Sequence, residues 1–156
     1  MTVDVPGWKH LELRWLVLDV NGTLTLDGEL VPAVSDRIRA LRGRLGIELL
    51  SADTHGTLEA VAAELDVRWT RLRREERDAP QKAAFVQRLG AEHVAAVGNG
   101  ANDVEMLLAA GLAVGVLGHE GLASAALVAS DVVTGSIDEA LDLFLHPRRL
   151  VATLRR

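Results

Sequence analysis

The segment from Trp15 to Leu26, WLVLDVNGTLTL, decides how the chain folds, and it fits two different structures. Asn21-Gly22 between apolar runs is the strongest local signal for a two-residue β-hairpin turn. The run from Trp15 to Leu18 is apolar at every position, however, which is typical of a parallel strand buried on both faces. In the second structure Asp19 lies at the end of a buried strand, where it is a candidate nucleophile.

The length, net charge and composition of the chain narrow the class of protein. A chain of 156 residues predicts one domain, residues 1–156, with a sizeable core. The net charge of −5 argues against nucleic acid as a partner, and the absence of cysteine excludes disulfides and thiolate metal sites. No apolar run approaches the roughly 18 residues that span a bilayer, and the N-terminus lacks the pattern of a signal peptide. We therefore expect a cytoplasmic protein with no membrane partner.

Strand and helix patterns alternate about six times along the chain, which predicts an α/β fold. The predicted strands cover residues 14–20, 47–50, 67–72, 93–97, 112–117 and 132–133. The predicted helices cover residues 32–45, with Gly46 as the terminating glycine, then 57–65, 80–89, 102–110, 121–129 and 137–145, with a final basic helix to Arg156. Asp27-Gly28 within residues 25–31 predicts a small β-hairpin flap. Together these patterns predict a three-layer αβα, doubly wound, mostly parallel sheet of Rossmann-like type.

Small polar or acidic residues follow three of the predicted strands. The first strand leads into DVNGT (residues 19–23), the second into Ser51, and the fourth into GNGAND (residues 98–103). Lys82 lies about one turn into the helix that precedes the fourth strand. Because ligands of open α/β sheets bind beyond the carboxyl ends of the strands, we expect these groups to converge there.

The converging groups suit phosphoryl transfer. Asp19 can attack phosphorus and form an aspartyl-phosphate. Ser51 can bond a phosphoryl oxygen, and Lys82 can neutralise charge as a compact cation. Asp103 can help to hold Mg²⁺, which prefers one or two carboxylates together with water and phosphate oxygens.

These residues, at these spacings, resemble the haloacid dehalogenase-like (HAD) superfamily of phosphotransferases. Its four motifs are similar to DVNGT, Ser51, Lys82 and GNGAND. The resemblance is closer still to soluble relatives of the P-type ATPase phosphorylation domain, through SADT (residues 51–54), the Pro-x-Lys that ends at Lys82, and VGNGAND (residues 97–103).

The resemblance implies a Mg²⁺-dependent phosphohydrolase and assigns roles to eight residues. The implied catalytic residues are Asp19, Asn21 and Lys82. Phosphate binding is implied for Ser51, Lys82 and the backbone of Val20 and Gly22, and metal binding for Asp19, Asn21, Asn99 and Asp103.

Two residues depart from the family pattern. Asn21 replaces the aspartate that protonates the leaving group and activates water, a contribution worth about 100- to 10,000-fold in rate. Asn99 replaces a metal-binding aspartate and supplies an oxygen without charge. The alternative function is therefore a degenerate HAD domain that binds Mg²⁺ and phosphate, or a protein partner, without efficient turnover. P-type ATPases also lack the aspartate at the position of Asn21 and still form the phosphoenzyme.

Neither interval between motifs has room for a cap domain. The resemblance then implies an open site that takes a phosphorylated small molecule or a larger phosphorylated substrate, or that is closed by forming a homo-oligomer. Some features also have simpler explanations. Lys82 fits a solvated helix face, and Thr54 is expected to cap the helix that follows it. A receiver-type phosphoacceptor domain fits poorly, because its aspartate follows a middle strand.

Overall fold

The computed structural model describes residues 1–32 and 34–156 of the chain. The strands are β1 (Thr2–Asp4), β2 (His10–Glu12), β3 (Trp15–Asp19), β4 (Thr25–Leu26), β5 (Glu29–Leu30), β6 (Gly46–Ser51), β7 (Arg68–Arg71), β8 (Val94–Gly98), β9 (Leu112–Val116) and β10 (Val132–Thr134). The helices are α1 (Val34–Leu41), α2 (Leu58–Leu65), α3 (Asp78–Arg88), α4 (Val104–Ala109), α5 (Ser124–Val128), α6 (Ile137–Leu145) and α7 (Arg148–Leu154). Two 3₁₀ turns cover Ala91–His93 and Ala101–Asp103.

Six parallel strands form the central sheet, in the order β10-β9-β8-β3-β6-β7. The chain moves from β3 outward through β6 and β7, then returns to the other side of β3 to place β8, β9 and β10. The strand order therefore reverses between β3 and β8. Asp19 ends β3 and Gly98 ends β8, so both strands deliver their polar loops to the reversal point.

The first long strand is parallel to both of its neighbours, which excludes the hairpin interpretation of Asn21-Gly22. Leu18 is paired with Leu49 of β6 and with Val97 of β8. The hairpin lies further along the chain, where β4 and β5 pair antiparallel around Asp27-Gly28, as predicted for the flap. The remainder of the described chain contains no cap domain, so the fold is the predicted three-layer arrangement.

Alternate residues of β3 enter two separate cores. Leu16 and Leu18 pack into a cluster with residues of α1, α2 and α6, while Val17 packs with residues of α3, α4 and α5. All three side chains are fully buried. The continuous apolar run thus reflects a strand covered by helices on both faces. None of the described helices is long and apolar enough to cross a membrane.

Helix α1 is shorter than the sequence suggested. It ends at Leu41 rather than Leu45, and Pro32 precedes it; Ala33 lies outside the described residues. The error came from Gly46, which we interpreted as a helix terminator and which instead begins β6. A Cβ atom at this position would lie 2.2 Å from the Trp15 ring, so the glycine lets β6 approach the indole.

Other differences lie at the ends of the chain and of helices. Strands β1 and β2, which the sequence analysis missed, pair antiparallel and bury Val3 and Leu11. Helix α5 begins at Ser124 rather than near Gly121, which has a φ of +86°. The predicted helix over residues 102–110 begins as a 3₁₀ turn and continues as α4.

A side-chain ion pair ties α1 to α6 and has a testable pH dependence. Arg37 Nε lies 2.8 Å from Asp142 Oδ1, and this hydrogen bond lowers the pKa of Asp142 below its ordinary value. The stabilisation is therefore fully present above the unfolded-state pKa of about 4 and is lost as the pH falls through the lower folded-state pKa. We expect Asp142→Asn to reduce the free energy of unfolding by about 1 kcal/mol at pH 7.

Urea unfolding of the wild type and Asp142→Asn at pH 7 and pH 3 measures this effect. The difference between the two proteins should shrink at pH 3. Asp36→Asn is the matched control, because Asp36 forms an exposed pair with Arg39 on a single helix. An equal difference at both pH values would contradict the assignment to the ionised carboxylate.

Candidate active site

Lys82 joins the two strand ends at the centre of the site. Its Nζ lies 2.6 Å from Asp19 Oδ1 and 2.6 Å from Asp103 Oδ1. Lys82 is 1% exposed, Asp19 5% and Asp103 0%. The ammonium reaches this point from the second turn of α3, which packs against α4 and the 3₁₀ turn that carries Asp103. The interpretation of Lys82 as a solvated surface lysine is therefore wrong.

Burial controls the charges of this group. Removal of Asp19 from water raises its pKa to about 7, and the nearby charge of Asp103 acts in the same direction. Lys82 and the backbone N–H of Val20 oppose that shift. Burial alone would lower the pKa of Lys82, but Asp19 and Asp103 outweigh burial and raise it above its ordinary value. The ammonium therefore remains charged and holds Asp19 in place.

Asp103 has a different set of partners from the one we predicted. Its Oδ1 accepts from Lys82, and its Oδ2 accepts from the backbone N–H groups of Asn99 at 3.0 Å and Gly100 at 2.9 Å. Both carboxylate oxygens are engaged and the side chain is fully buried. Asp103 therefore orients Lys82 and folds the loop at the end of β8. Its role as a metal ligand stays a prediction.

The Asn99 side chain uses both its oxygen and its nitrogen in hydrogen bonds, as only an amide can. Its Oδ1 accepts from the Thr23 hydroxyl at 3.0 Å, and its Nδ2 donates to the Gly121 carbonyl at 3.1 Å. A carboxylate at this position would place an oxygen against the Gly121 carbonyl. The amide thus links the loop after β3 with the loop after β9, and Thr23 is a site contact that the sequence analysis missed.

Asn21 points toward the loop after β6. Its Nδ2 donates to the Thr54 hydroxyl at 3.0 Å and lies 3.5 Å from the Ser51 hydroxyl. Our prediction that Thr54 caps α2 is wrong, because Asp53 Oδ1 accepts from the Leu58 N–H at 2.9 Å. Asn21 and Ser51 therefore lie side by side at the rim, as the motif positions require.

Asp53 shapes the loop that presents Ser51. It has a φ of +56°, a strained value for a residue with a side chain. Its Oδ2 lies 2.7 Å from Arg71 of β7, and its N–H donates to the Ser51 Oγ at 2.9 Å. The Ser51 Oγ accepts hydrogen bonds from Asp53 and Asn21, which orient the hydroxyl. Its own proton is donated to no group within residues 1–32 and 34–156. Its proton is available for a phosphoryl oxygen.

The loop after β3 turns tightly around Val20. The Val20 carbonyl accepts from the backbone N–H groups of Thr23, Leu24 and Thr25. The Gly22 N–H donates to the Thr25 carbonyl at 2.9 Å, so the prediction that this N–H binds phosphate does not fit the structure. Gly22 has a φ of +75°, and this conformation is the reason for a glycine there. The Val20 N–H remains directed at the Asp19 carboxylate.

The predicted metal-binding residues differ in how far their oxygens are engaged. Asp103 is bonded through both oxygens, whereas Asp19 and the Asn99 amide oxygen each have one side-chain partner. Asp19, Asn99 and the backbone of the loop at Asn21 therefore remain the candidate donors. No group of three or more His, Asp or Glu side chains suited to a metal ion occurs among the described residues. Mg²⁺ accepts one carboxylate with neutral oxygens and water, so these residues fit it, with little protein charge.

A family model of haloacid dehalogenase-like hydrolases matches residues 10–111, more than half of the chain. The chain therefore belongs to the haloacid dehalogenase-like hydrolase family. An uncharacterized protein of Methanocaldococcus jannaschii is 45% identical over 62 residues, which are 40% of this chain and 67% of that protein.

Two solved structures have a similar fold. The cobalt-bound deoxy-D-mannose-octulosonate 8-phosphate phosphatase of Haemophilus influenzae has a TM-score of 0.71 at 18% identity, over 93% of this chain and 94% of that one. The 3-deoxy-D-manno-octulosonate 8-phosphate phosphatase of Moraxella catarrhalis, in complex with magnesium, phosphate and a KDO molecule, has a TM-score of 0.68 at 18% identity, over 92% and 94%. At these identities the likeness shows the fold alone.

The buried ion group predicts a large effect on stability. Lys82→Met leaves Asp19 and Asp103 buried without their cation, and we expect a loss of about 3–5 kcal/mol in the free energy of unfolding at pH 7.5. Adding Asp103→Asn should recover part of that loss, because one of the two unpaired charges is removed.

Urea unfolding of the single and double variants measures both effects. Lys9→Met is the matched control, since Lys9 is exposed and should cost less than about 1 kcal/mol. Equal losses for Lys9→Met and Lys82→Met would show that the buried contacts of Lys82 do not hold in solution.

Proposed function

We propose that the chain is a Mg²⁺-dependent phosphohydrolase that acts through an aspartyl-phosphate on Asp19. The observation that carries the proposal is the buried bridge from Lys82 to Asp19 and Asp103 at the reversal point of the sheet. Asp19 ends β3 and Ser51 ends the neighbouring β6, and this adjacency of a carboxylate with its ammonium partner and a hydroxyl supports the proposal. Membership of the hydrolase family supports the same reaction class.

In the first step, an Asp19 oxygen attacks phosphorus, the bond from phosphorus to the leaving oxygen breaks, and that oxygen departs with the electron pair. Lys82 balances the negative charge on Asp19 and on the transferred group. Ser51 donates its free proton to a phosphoryl oxygen. In the second step, water attacks phosphorus of the aspartyl-phosphate and regenerates the Asp19 carboxylate with release of phosphate.

When bound, Mg²⁺ would neutralise phosphoryl oxygens and align them with the nucleophile. Asp19 and the oxygen of Asn99 would hold it, together with backbone at Asn21. The hydrogen bond from the Thr23 hydroxyl orients the Asn99 amide oxygen.

Asn21 weakens both steps for ordinary esters. Its amide cannot give a proton to the leaving oxygen or take one from water, which costs about 100- to 10,000-fold. Its Nδ2 is instead committed to Thr54. We therefore propose that activated phosphates, whose leaving groups need no proton, turn over fastest. The same observation favours the second candidate function, a domain that binds Mg²⁺ and phosphate, or a protein partner, without efficient turnover.

A small cavity adjoins the loop after Asp19, although Asp19, Ser51 and Lys82 do not line it, and its size supports a phosphate presented from outside. A cavity of about 260 Å³ lies beside Gly22 and Thr23, between the flap and the start of α6. This is below the roughly 300–1,000 Å³ of pockets that enclose drug-sized ligands. We propose that it receives part of a phosphorylated small molecule or the phosphorylated group of a larger substrate.

Removal of the nucleophile tests the mechanism. With Mg²⁺ and a reactive aryl phosphate, we expect Asp19→Asn to lose at least about 1,000-fold in kcat, because the amide that replaces the proposed nucleophile cannot form the aspartyl-phosphate. Asp4→Asn, an exposed change of the same kind, should keep full activity. Steady-state release of the phenol measures both, and full activity in Asp19→Asn would rule out the mechanism.

Restoration of the missing carboxylates separates the two candidate functions. Asn21→Asp with Asn99→Asp should raise the hydrolysis of an alkyl phosphate by about 100-fold or more, and of an aryl phosphate by less, because only the alkyl leaving group needs the proton. Asn102→Asp is the control for added negative charge, since it adds one carboxylate at an exposed position near the loop. No gain for the double variant would show that lost carboxylates do not limit turnover.

A further inference from the structure

The loop between β9 and α5 carries Glu120, whose carboxylate lies close to the site. Glu120 belongs to none of the sequence motifs. A Cβ atom built on Gly22 would lie 2.4 Å from Glu120 Oε2 and 3.1 Å from Asn99 Nδ2. The Glu120 carboxylate and the Asn99 amide therefore flank the same point of the loop that follows Asp19. This is the side of the site on which the family's metal-binding aspartate would stand.

Backbone contacts fix that loop on both sides of Glu120. Before it, the Leu117 N–H donates to the Thr134 carbonyl at 2.9 Å, and the Gly118 N–H donates to the Gly135 carbonyl at 3.1 Å. After it, the Ala123 N–H donates to the Asn99 carbonyl at 2.9 Å. The Asn99 side chain also holds the Gly121 carbonyl. Asn99 thus anchors the loop through its backbone and its amide, and Glu120 is kept near it.

The Glu120 side chain has no polar partner among the described residues. Its carboxylate forms no hydrogen bond or ion pair with the part of the chain that the structure describes, whereas both oxygens of Asp103 are engaged. Of the four predicted metal-binding residues, only Asp19 and Asp103 carry a carboxylate, and Asp103 is engaged through both oxygens. A divalent cation next to Asn99 lacks one negative charge, and Glu120 is the neighbouring group that carries it.

We propose that Glu120 supplies the second carboxylate of the metal site, in place of the charge that Asn99 lacks. This inference rests on the proposed function, because it concerns the cation of that same site. The positive φ of Gly22 and the absence of a side chain there give the carboxylate the space to approach. A larger residue at position 22 would occupy the place of Glu120 Oε2.

Metal titration without substrate tests the proposal. Isothermal calorimetry with Mg²⁺, and electron paramagnetic resonance with Mn²⁺, should show Glu120→Gln binding at least about tenfold more weakly than the wild type. Glu64→Gln is the matched control, because Glu64 is exposed near the far end of α2, and it should bind as the wild type does. Adding Asn99→Asp to Glu120→Gln should restore part of the affinity, because the new carboxylate returns the charge but loses the bond to the Gly121 carbonyl.

The possible outcomes distinguish a failure of the proposed role of Glu120 from a failure of the proposed phosphohydrolase function. Unchanged affinity in Glu120→Gln beside a wild type that binds one Mg²⁺ would overturn the role of Glu120 and leave the phosphohydrolase proposal standing. A wild type that binds no divalent cation would overturn both. A loss of affinity in Glu120→Gln accompanied by an equal loss in free energy of unfolding, measured in urea, would attribute the effect to loop structure and would also contradict the proposal.

Discussion

The site depends on one ammonium buried between two carboxylates. The charge of Lys82 can be buried because Asp19 and Asp103 pair with it. These two residues come from the ends of adjacent strands. With both carboxyl groups ionised the group of three would carry one net negative charge, and burial makes that charge costly, which is why the pKa of Asp19 is raised to about 7. The arrangement is therefore a poor source of stability but a strong reason for a cation at the open side of Asp19.

Three side chains hold the loops around Lys82, Asp19 and Asp103 in position, and none of the three is the proposed nucleophile. Asp103 holds the backbone of Asn99 and Gly100, Asn99 holds Thr23 and the β9–α5 loop, and Asp53 holds Ser51 and the start of α2. Each is a buried or half-buried polar group with its partners satisfied. A site assembled in this way is preorganised for charge, and under the proposed function its rate is limited by the absence of a proton-transferring group at position 21.

The sequence predicted the sheet well because the strongest signals were long and unambiguous. Trp15 to Leu18 is apolar throughout, and only a strand covered on both faces explains that pattern. Short elements escaped notice, since β1 and β2 each bury a single side chain, Val3 or Leu11, and leave no periodicity. Gly46 was misassigned because its role is to make room for Trp15, which only the three-dimensional packing reveals.

The motifs predicted which residues meet, but not how each one is used. Asp103 matches a motif position, and its engagement by Lys82 and two N–H groups depends on geometry that spacing does not encode. Glu120 lies in an exposed glycine-containing loop with no recognisable pattern, so its approach to Gly22 became visible only in the structure. The interpretation of Thr54 as a helix cap failed because Asp53, one residue earlier, adopts a left-handed conformation and takes that bond.

The most direct measurement of the central claim is chemical trapping of the phosphorylated residue. The protein is mixed with a reactive acyl phosphate and Mg²⁺, quenched, and reduced with borohydride, which converts an aspartyl-phosphate to homoserine; peptide mass spectrometry then locates the product. The account predicts homoserine at position 19. Homoserine at Asp53 or Asp103 with none at position 19 would contradict it, as would the absence of any reduced aspartate while phosphate is released.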